Sequence, residues 1–311
     1  MYSLMHKGGG GDFTIAAHTV LRVCWPPIRR HHVCEEEEIC MRKIVVTGAS
    51  GMIGTALTVA LEKRGDQVVT VGRRPPSGGV SWDPASGQMD HEALDGVDAV
   101  VHLAGERIDG RWTASKKKRI LDSRVEGTEV LARTLASLSR PPAVVISASA
   151  IGFYGDRGDE ELTEDSRQGS GFLAEVCERW ESAAAPMASP DTRLVLARTG
   201  IVCTAEGGAL ERMLLLIRLC LGGRLGSGEQ WWSWITLDDE VRALIHLLDS
   251  PVVGPVNLVA PGTCSNLEFV QGFADALRRP AVFPTPAFAL RFALGEMADG
   301  EDVRELDRRH D

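Results

Sequence analysis

Gly48-Ala49-Ser50-Gly51-Met52-Ile53-Gly54 decides how the chain is read. Glycines hold the first, fourth and seventh places, an apolar β-branched run from Lys43 to Thr47 precedes them, and an amphipathic stretch to Arg64 follows. Strand, glycine turn and helix in that order make a phosphate cradle. The first glycine permits the tight turn, the second lets the backbone approach a pyrophosphate, and the third lets the helix pack closely on the strand, with unpaired helix amides facing the anion. Gly48, Ser50, Gly51, Met52, Ile53 and Gly54 are therefore the predicted cofactor-binding residues of the loop. A glycine turn without a ligand is the alternative, and the second strand at Gln67 to Val71 counts against it by completing the unit.

That second strand runs into Gly72-Arg73-Arg74, about 20 residues past the glycines, where an NAD-selective protein offers an acid to the adenosine ribose. No acid is present. A guanidinium is shaped to grip a 2′-phosphate through paired charged hydrogen bonds, so the region predicts NADP(H), with a solvated basic loop ahead of Pro75 and Pro76 as the plainer reading.

Working outward, buried-strand runs recur at Asp98 to Leu103, Ala143 to Ser147 and Arg193 to Ala197, with helix-length segments at 115–137 and 170–188 between them. Strands alternating with helices predict an α/β fold with a Rossmann-type doubly wound parallel sheet. After Gly200 the texture loosens: a helix near 209–221, a glycine-rich turn at Gly222 to Gly228, a strand carrying Trp231, Trp232 and Trp234, and helices near 237–249 and 266–278. The expected organisation is an NADP-binding domain over 41–200 and a smaller substrate lobe over 201–297. Residues 1–40 combine a glycine run, Trp-Pro-Pro-Ile-Arg-Arg-His-His and four successive glutamates, and read as a disordered leader ahead of a natural start at Met41.

Composition narrows the function. The formal charge of −9 argues against a nucleic-acid surface. Lys116, Lys117, Lys118 and Arg119 at a helix start read as a solvated face. The seven cysteines show no zinc spacing, and His31, His32, Cys34 and Cys40 match no metal template, so no metal is expected. No apolar run reaches the roughly 18 residues of a membrane span. Free thiols and no convincing signal peptide predict a cytoplasmic protein without membrane partners, and a homodimer is compatible with the sequence.

Beyond the glycine loop, Val100-Val101-His102-Leu103-Ala104-Gly105-Glu106, Asp122-Ser123-Arg124-Val125-Glu126-Gly127-Thr128, Ser147-Ala148-Ser149-Ala150-Ile151-Gly152-Phe153-Tyr154-Gly155-Asp156, Arg198-Thr199-Gly200-Ile201-Val202 and Leu225-Gly226-Ser227-Gly228-Glu229-Gln230-Trp231 form a specific set. With them the chain resembles, over roughly Met41 to Met297, the extended short-chain dehydrogenase/reductase superfamily, its NAD(P)-dependent epimerase/dehydratase group. Within that group it is most similar to an atypical branch of NADP-binding epimerase family proteins, some labelled cell-division inhibitor-like. The resemblance implies that Gly72 and Arg73 contact the 2′-phosphate, with Arg74 beside them. It implies that Leu103 and Ala104, followed by Gly105, line the cofactor channel and that Arg124 faces the cofactor. It places Ser149 at the catalytic serine, Arg198 to Ile201 at the nicotinamide end and Trp231 to Trp234 in the substrate lobe, where the tryptophans serve equally well as packing or as a pocket wall.

Two departures from the family pattern matter. Active members carry a tyrosine and, four residues on, a lysine that lowers the phenol's pKa. In the helix after Gly171 those places hold Phe172 and Val176, or Leu173 and Cys177 if the register slips by one, and no lysine follows Lys118 anywhere. Tyr154 is the only tyrosine outside the leader, so it and Ser149 are the catalytic candidates, with packing over the nicotinamide as Tyr154's other reading. The second departure is the polar tail Ala298 to Asp311, which leaves the family pattern and predicts a truncated or frame-shifted end. Two functions remain in play. One is an NADP(H)-dependent oxidoreductase or epimerase-like protein acting on a small polar substrate; the other is a non-catalytic NADP(H)-binding regulatory protein.

Overall fold

A computed structural model describes residues 41–280 apart from 76–77, 88, 93, 206–212, 215–216 and 219–221. The leader, the stretch 286–297 and the tail lie outside the described residues. Lys43–Thr47 forms β1, buried from Ile44 onward as expected of a strand covered on both faces. Helix α1, Met52–Arg64, follows the glycine loop and stops at Gly65, whose left-handed φ of 99° suits a residue without a side chain; Lys63 and Arg64 complement the dipole there. The chain continues through β2 (Gln67–Gly72), β3 (Val80–Ser81), β4 (Ala99–His102), α2 (Ala114–Ala136), β5 (Val144–Ala150), α3 (Phe172–Ala184) and β6 (Arg193–Thr199). Then come β7 (Ile201–Cys203), β8 (Trp231–Trp232), β9 (Trp234–Thr236), α4 (Leu237–Asp249), β10 (Gly254–Leu258), β11 (Cys264–Ser265) and α5 (Asn266–Ala276). Of the helix predicted at 209–221, Met213, Leu214, Ile217 and Arg218 are described and are helical.

Seven strands form one sheet in the order β10-β6-β5-β4-β1-β2-β3, every neighbouring pair parallel. The order reverses between β1 and β4, which is where this architecture binds ligands, at the carboxyl ends of the strands. One face packs Ile44, Val46, Leu57, Leu61, Val101 and Ile146 against α1 and α4; the other packs Val45, Val100, Val145, Val130, Leu131 and Leu135 against α2 and the end of α3.

The division at residue 200 needs correcting. Strand β10 pairs with β6 at the sheet edge and α4 packs beside α1, so 237–258 completes the dinucleotide-binding sheet rather than joining a separate lobe. Two small two-stranded sheets, β11-β8 and β7-β9, and α5 make up the remainder, centred on Phe269. Trp232 and Trp234 stack on that ring at 5.0 and 6.4 Å, whereas Trp231 is 51% exposed. Packing explains two of the three tryptophans.

Candidate cofactor and catalytic site

The residues singled out in the sequence converge on one sheet edge. Gly48 follows β1, Gly72 ends β2, Leu103 follows β4, and Ser149 and Arg198 lie near the ends of β5 and β6. At Gly48, φ is +69°, and an added Cβ would sit 2.7 Å from the Leu103 carbonyl, so only glycine lets the loop lie against Leu103 and Ala104. A Cβ at Gly54 would run into the Gly48 carbonyl oxygen and Ala49, fixing how closely α1 meets β1. Gly51 is different. Its Cβ position meets only the Gly48 oxygen, at 3.2 Å, and faces open space otherwise. As N-cap it offers no side-chain cap, and no acid stands in the first turn of α1, so the helix amides and dipole are available to an anion.

A buried hydrogen-bond chain braces this edge. Thr47 Oγ1 accepts the amides of Leu103 and Ala104, each at 3.2 Å, and lies 2.7 Å from His102 Nδ1; His102 Nε2 lies 3.0 Å from Thr128 Oγ1 on α2. With its acceptor side occupied, the Thr47 hydroxyl donates to Nδ1, so the neutral imidazole carries its proton on Nε2 and donates to Thr128. Burial pushes the His102 pKa down to about 4 and keeps it in that form.

Arg73 and Arg74 are exposed at the end of β2 and make no hydrogen bond or ion pair among the described residues. Glu106 feels the Arg73 charge and is already held by Lys116 at 2.8 Å; that hydrogen bond, acting against partial burial, keeps the Glu106 carboxyl below its usual range. Lys116 thus belongs to this anchor, while Lys118 is solvated and pairs with Asp122. Arg124 sits beside Gly105, donates to the carbonyls of Glu106 and Ile120 and lies over the Trp180 ring at 4.9 Å. Desolvation lowers its pKa.

The second half of the site is a polar network that joins Ser149, Tyr154 and Arg198, named from the sequence, to Glu181, Glu164 and Asn257, which were not. Ser149 Oγ donates to Glu181 Oε1 at 2.6 Å. Arg198 grips the same carboxylate with Nε and Nη2, each at 2.8 Å, and the pair is buried, 4% and 10% exposed. Its Nη1 donates to the Tyr154 hydroxyl at 2.9 Å and to the Glu164 carbonyl at 3.2 Å, and the guanidinium lies 3.6 Å over the Phe153 ring. Burial opposes the Arg198 charge, but the Glu181 and Tyr154 hydrogen bonds outweigh it and raise the pKa above the ordinary guanidinium value. Tyr154 donates to Asn257 Oδ1 at 2.6 Å, and the Asn257 backbone N–H donates to Glu164 Oε1 at 2.9 Å.

This network bears on two of the expected site residues. Arg198 was expected at the nicotinamide, yet Nε, Nη1 and Nη2 are all engaged inside the protein. Tyr154 is a catalytic candidate from the sequence, and its hydroxyl already accepts from Arg198 and donates to Asn257. The two candidate registers lie on different faces of α3. Phe172 and Val176 turn toward Trp112 and Ile120, whereas Leu173 and Cys177 lie against Gly152, on the helix face that brings Glu181 to Ser149. The positions beside Gly152 carry a leucine and a buried thiol. Burial pushes the Cys177 thiol up to about 12, so it is neutral and no substitute for an ammonium. Two shallow clefts of about 370 and 340 Å³ open around His91 and Ser137, and neither includes the glycine loop or Ser149. No group of three metal-ligating side chains occurs among the described residues, and none of their helices is long and apolar enough to cross a membrane.

Residues 44–259 match the NAD dependent epimerase/dehydratase family. The chain belongs to that family. Among the epimerase family proteins it resembles, one from Mycobacterium leprae is 43% identical over 260 residues, covering 82% of this chain and 84% of that one. Human epimerase family protein SDR39U1 is 37% identical over 258 residues, covering 81% and 86%. The crystal structure of its isoform 2 with NADPH superimposes with a TM-score of 0.76 over 85% of this chain and 88% of that one. These matches place the protein in the atypical, epimerase-like part of the extended short-chain dehydrogenase/reductase superfamily.

Proposed function

We propose that this epimerase-family protein binds NADP(H) and acts on a small polar substrate in oxidoreductase or epimerase-like chemistry that dispenses with the tyrosine–lysine pair. The observation that carries the reading is the pairing of an open, uncapped α1 N-terminus at Gly51 with two exposed arginines, without a hydrogen bond or ion pair among the described residues, where an NAD-binding protein presents an acid. Gly48, Ser50, Gly51, Met52, Ile53 and Gly54 hold the pyrophosphate, Gly72, Arg73 and Arg74 the 2′-phosphate, and Leu103, Ala104 and Gly105 the wall of the channel. The human relative's structure with NADPH supports the same cofactor. When bound, the nicotinamide supplies or takes up hydride; this chain's part is to orient the substrate at Ser149. Arg124 closes the channel beside Gly105, while Arg198, Glu181 and Tyr154 form the scaffold behind the serine.

Single-turnover absorbance of protein-bound NADPH against aldehydes, ketones, quinones and nucleotide sugars tests this. Oxidation that falls at least about tenfold in Ser149→Ala is expected, and fast oxidation indifferent to that substitution contradicts the assignment. The neutral Cys177 and committed Tyr154 favour one second reading, a regulatory protein whose output is cofactor occupancy. Absence of oxidation across the whole panel, with NADPH still bound, selects it.

A further inference from the structure

The hydrogen bond from Ser149 to Glu181 has one polarity. A carboxylate only accepts, so the serine proton points at Glu181 Oε1, 2.6 Å away. Glu181 has no freedom to turn, because Arg198 holds both of its oxygens at 2.8 Å and is itself pinned by the Tyr154 hydroxyl, the Glu164 carbonyl and the Phe153 ring. Ser149 is 4% exposed, so what a molecule at the end of β5 can reach of it is its remaining lone pairs and not its hydrogen. For Ser149 to donate outward, a short charge-assisted bond must break and a buried carboxylate oxygen must lose a partner.

We infer that the site selects a ligand bringing its own hydrogen to Ser149, a hydroxyl or amine, over a carbonyl compound of the same shape. The inference rests on the cofactor reading above and deepens it by naming the alcohol or amine form as the one preferentially held. Glu181 and Arg198 are positioning residues that act through Ser149. Glu181→Gln supplies the discriminating perturbation. Oε1 accepts from both Ser149 and Arg198 Nε, whereas Oε2 accepts from Nη2 alone, so the amide keeps its oxygen at the shared position; the serine then donates to a neutral, weaker acceptor and its hydrogen is freer to turn outward, so the preference narrows.

The test uses the full chain with redox-inert tetrahydro-NADP, titrated calorimetrically with myo-inositol and its 2-keto analogue. The parent is expected to bind the alcohol about tenfold more tightly, Glu181→Gln to narrow that preference, Ser149→Ala to lose discrimination and Ser149→Thr to retain it. Because Glu181→Gln puts a buried guanidinium at risk, a second measurement stands apart from it. Proton NMR of the parent should show a slowly exchanging, downfield hydroxyl proton that is absent in Ser149→Ala. Equal or reversed preference in the parent, no such proton, or cofactor binding without binding of either probe overturns the inference. Failure of the cofactor analogue to bind overturns the cofactor reading instead.

Discussion

Replacing Glu240 with glutamine should remove a pH dependence of stability that is written into the fold. Glu240 lies in the first turn of α4, 1% exposed, with Oε1 accepting from Thr199 Oγ1 at 2.9 Å and Oε2 without a hydrogen-bond partner. Burial raises its pKa from 4.5 to about 7, against the Thr199 bond, which lowers it. A raised carboxyl pKa means the folded protein binds the proton more tightly than the unfolded chain. The stability this gives is complete below pH 4.5 and is lost as pH rises through about 7. At about 1.4 kcal/mol per unit, the change between pH 5 and pH 8 is roughly 2–3 kcal/mol. Glutamine retains the acceptor for Thr199 and cannot ionise. Its own cost, a buried amide nitrogen in place of Oε2, is independent of pH and cancels between the two conditions. Urea unfolding of both proteins at pH 5 and pH 8 should therefore show the variant gaining on the parent by roughly 2–3 kcal/mol. Parallel pH profiles would refute the reasoning.

His102 should act with the opposite sign. Burial lowers its pKa to about 4 from 6.5, so the stability it lends is present above 6.5 and falls away as pH drops through 4, by about 3 kcal/mol in total; His102→Gln should flatten the acid limb of the unfolding profile. Gly51→Val should leave the apo melting temperature within a few degrees of the parent while abolishing the upward shift on adding NADPH, because the new side chain fills the open space above the loop. A variant stabilised by NADPH as strongly as the parent moves the phosphate site elsewhere.

How much of this was legible in the sequence followed the range of the interactions. The glycine loop, β1, α1 and β2 are contiguous and their signals local, so period and glycine spacing sufficed. Helix α4 was found at its observed bounds because Thr236 caps it and its apolar face repeats at helical spacing. Strand β10, Gly254-Pro255-Val256-Asn257-Leu258, went unread: it is a half-buried edge strand with a proline, and nothing local betrays that it closes the sheet beside β6. In the site, the serine was legible from its motif but its partner was not. Glu181 is 32 residues away, and Asn257 is 103 residues from Tyr154. Glu181 did leave a trace, standing eight positions after Leu173 on the helix face that also carries Cys177. Choosing that register in the sequence would have pointed to it.

The central claim, a 2′-phosphate held by the arginines after β2, is tested most directly by calorimetric titration of NADPH and NADH into the parent and Arg73→Ala. The account predicts tighter NADPH binding by the parent, and a loss of roughly 10- to 100-fold for NADPH in the variant with NADH little changed. Equal affinities in the parent, or a preference for NADH that survives the substitution, would contradict it.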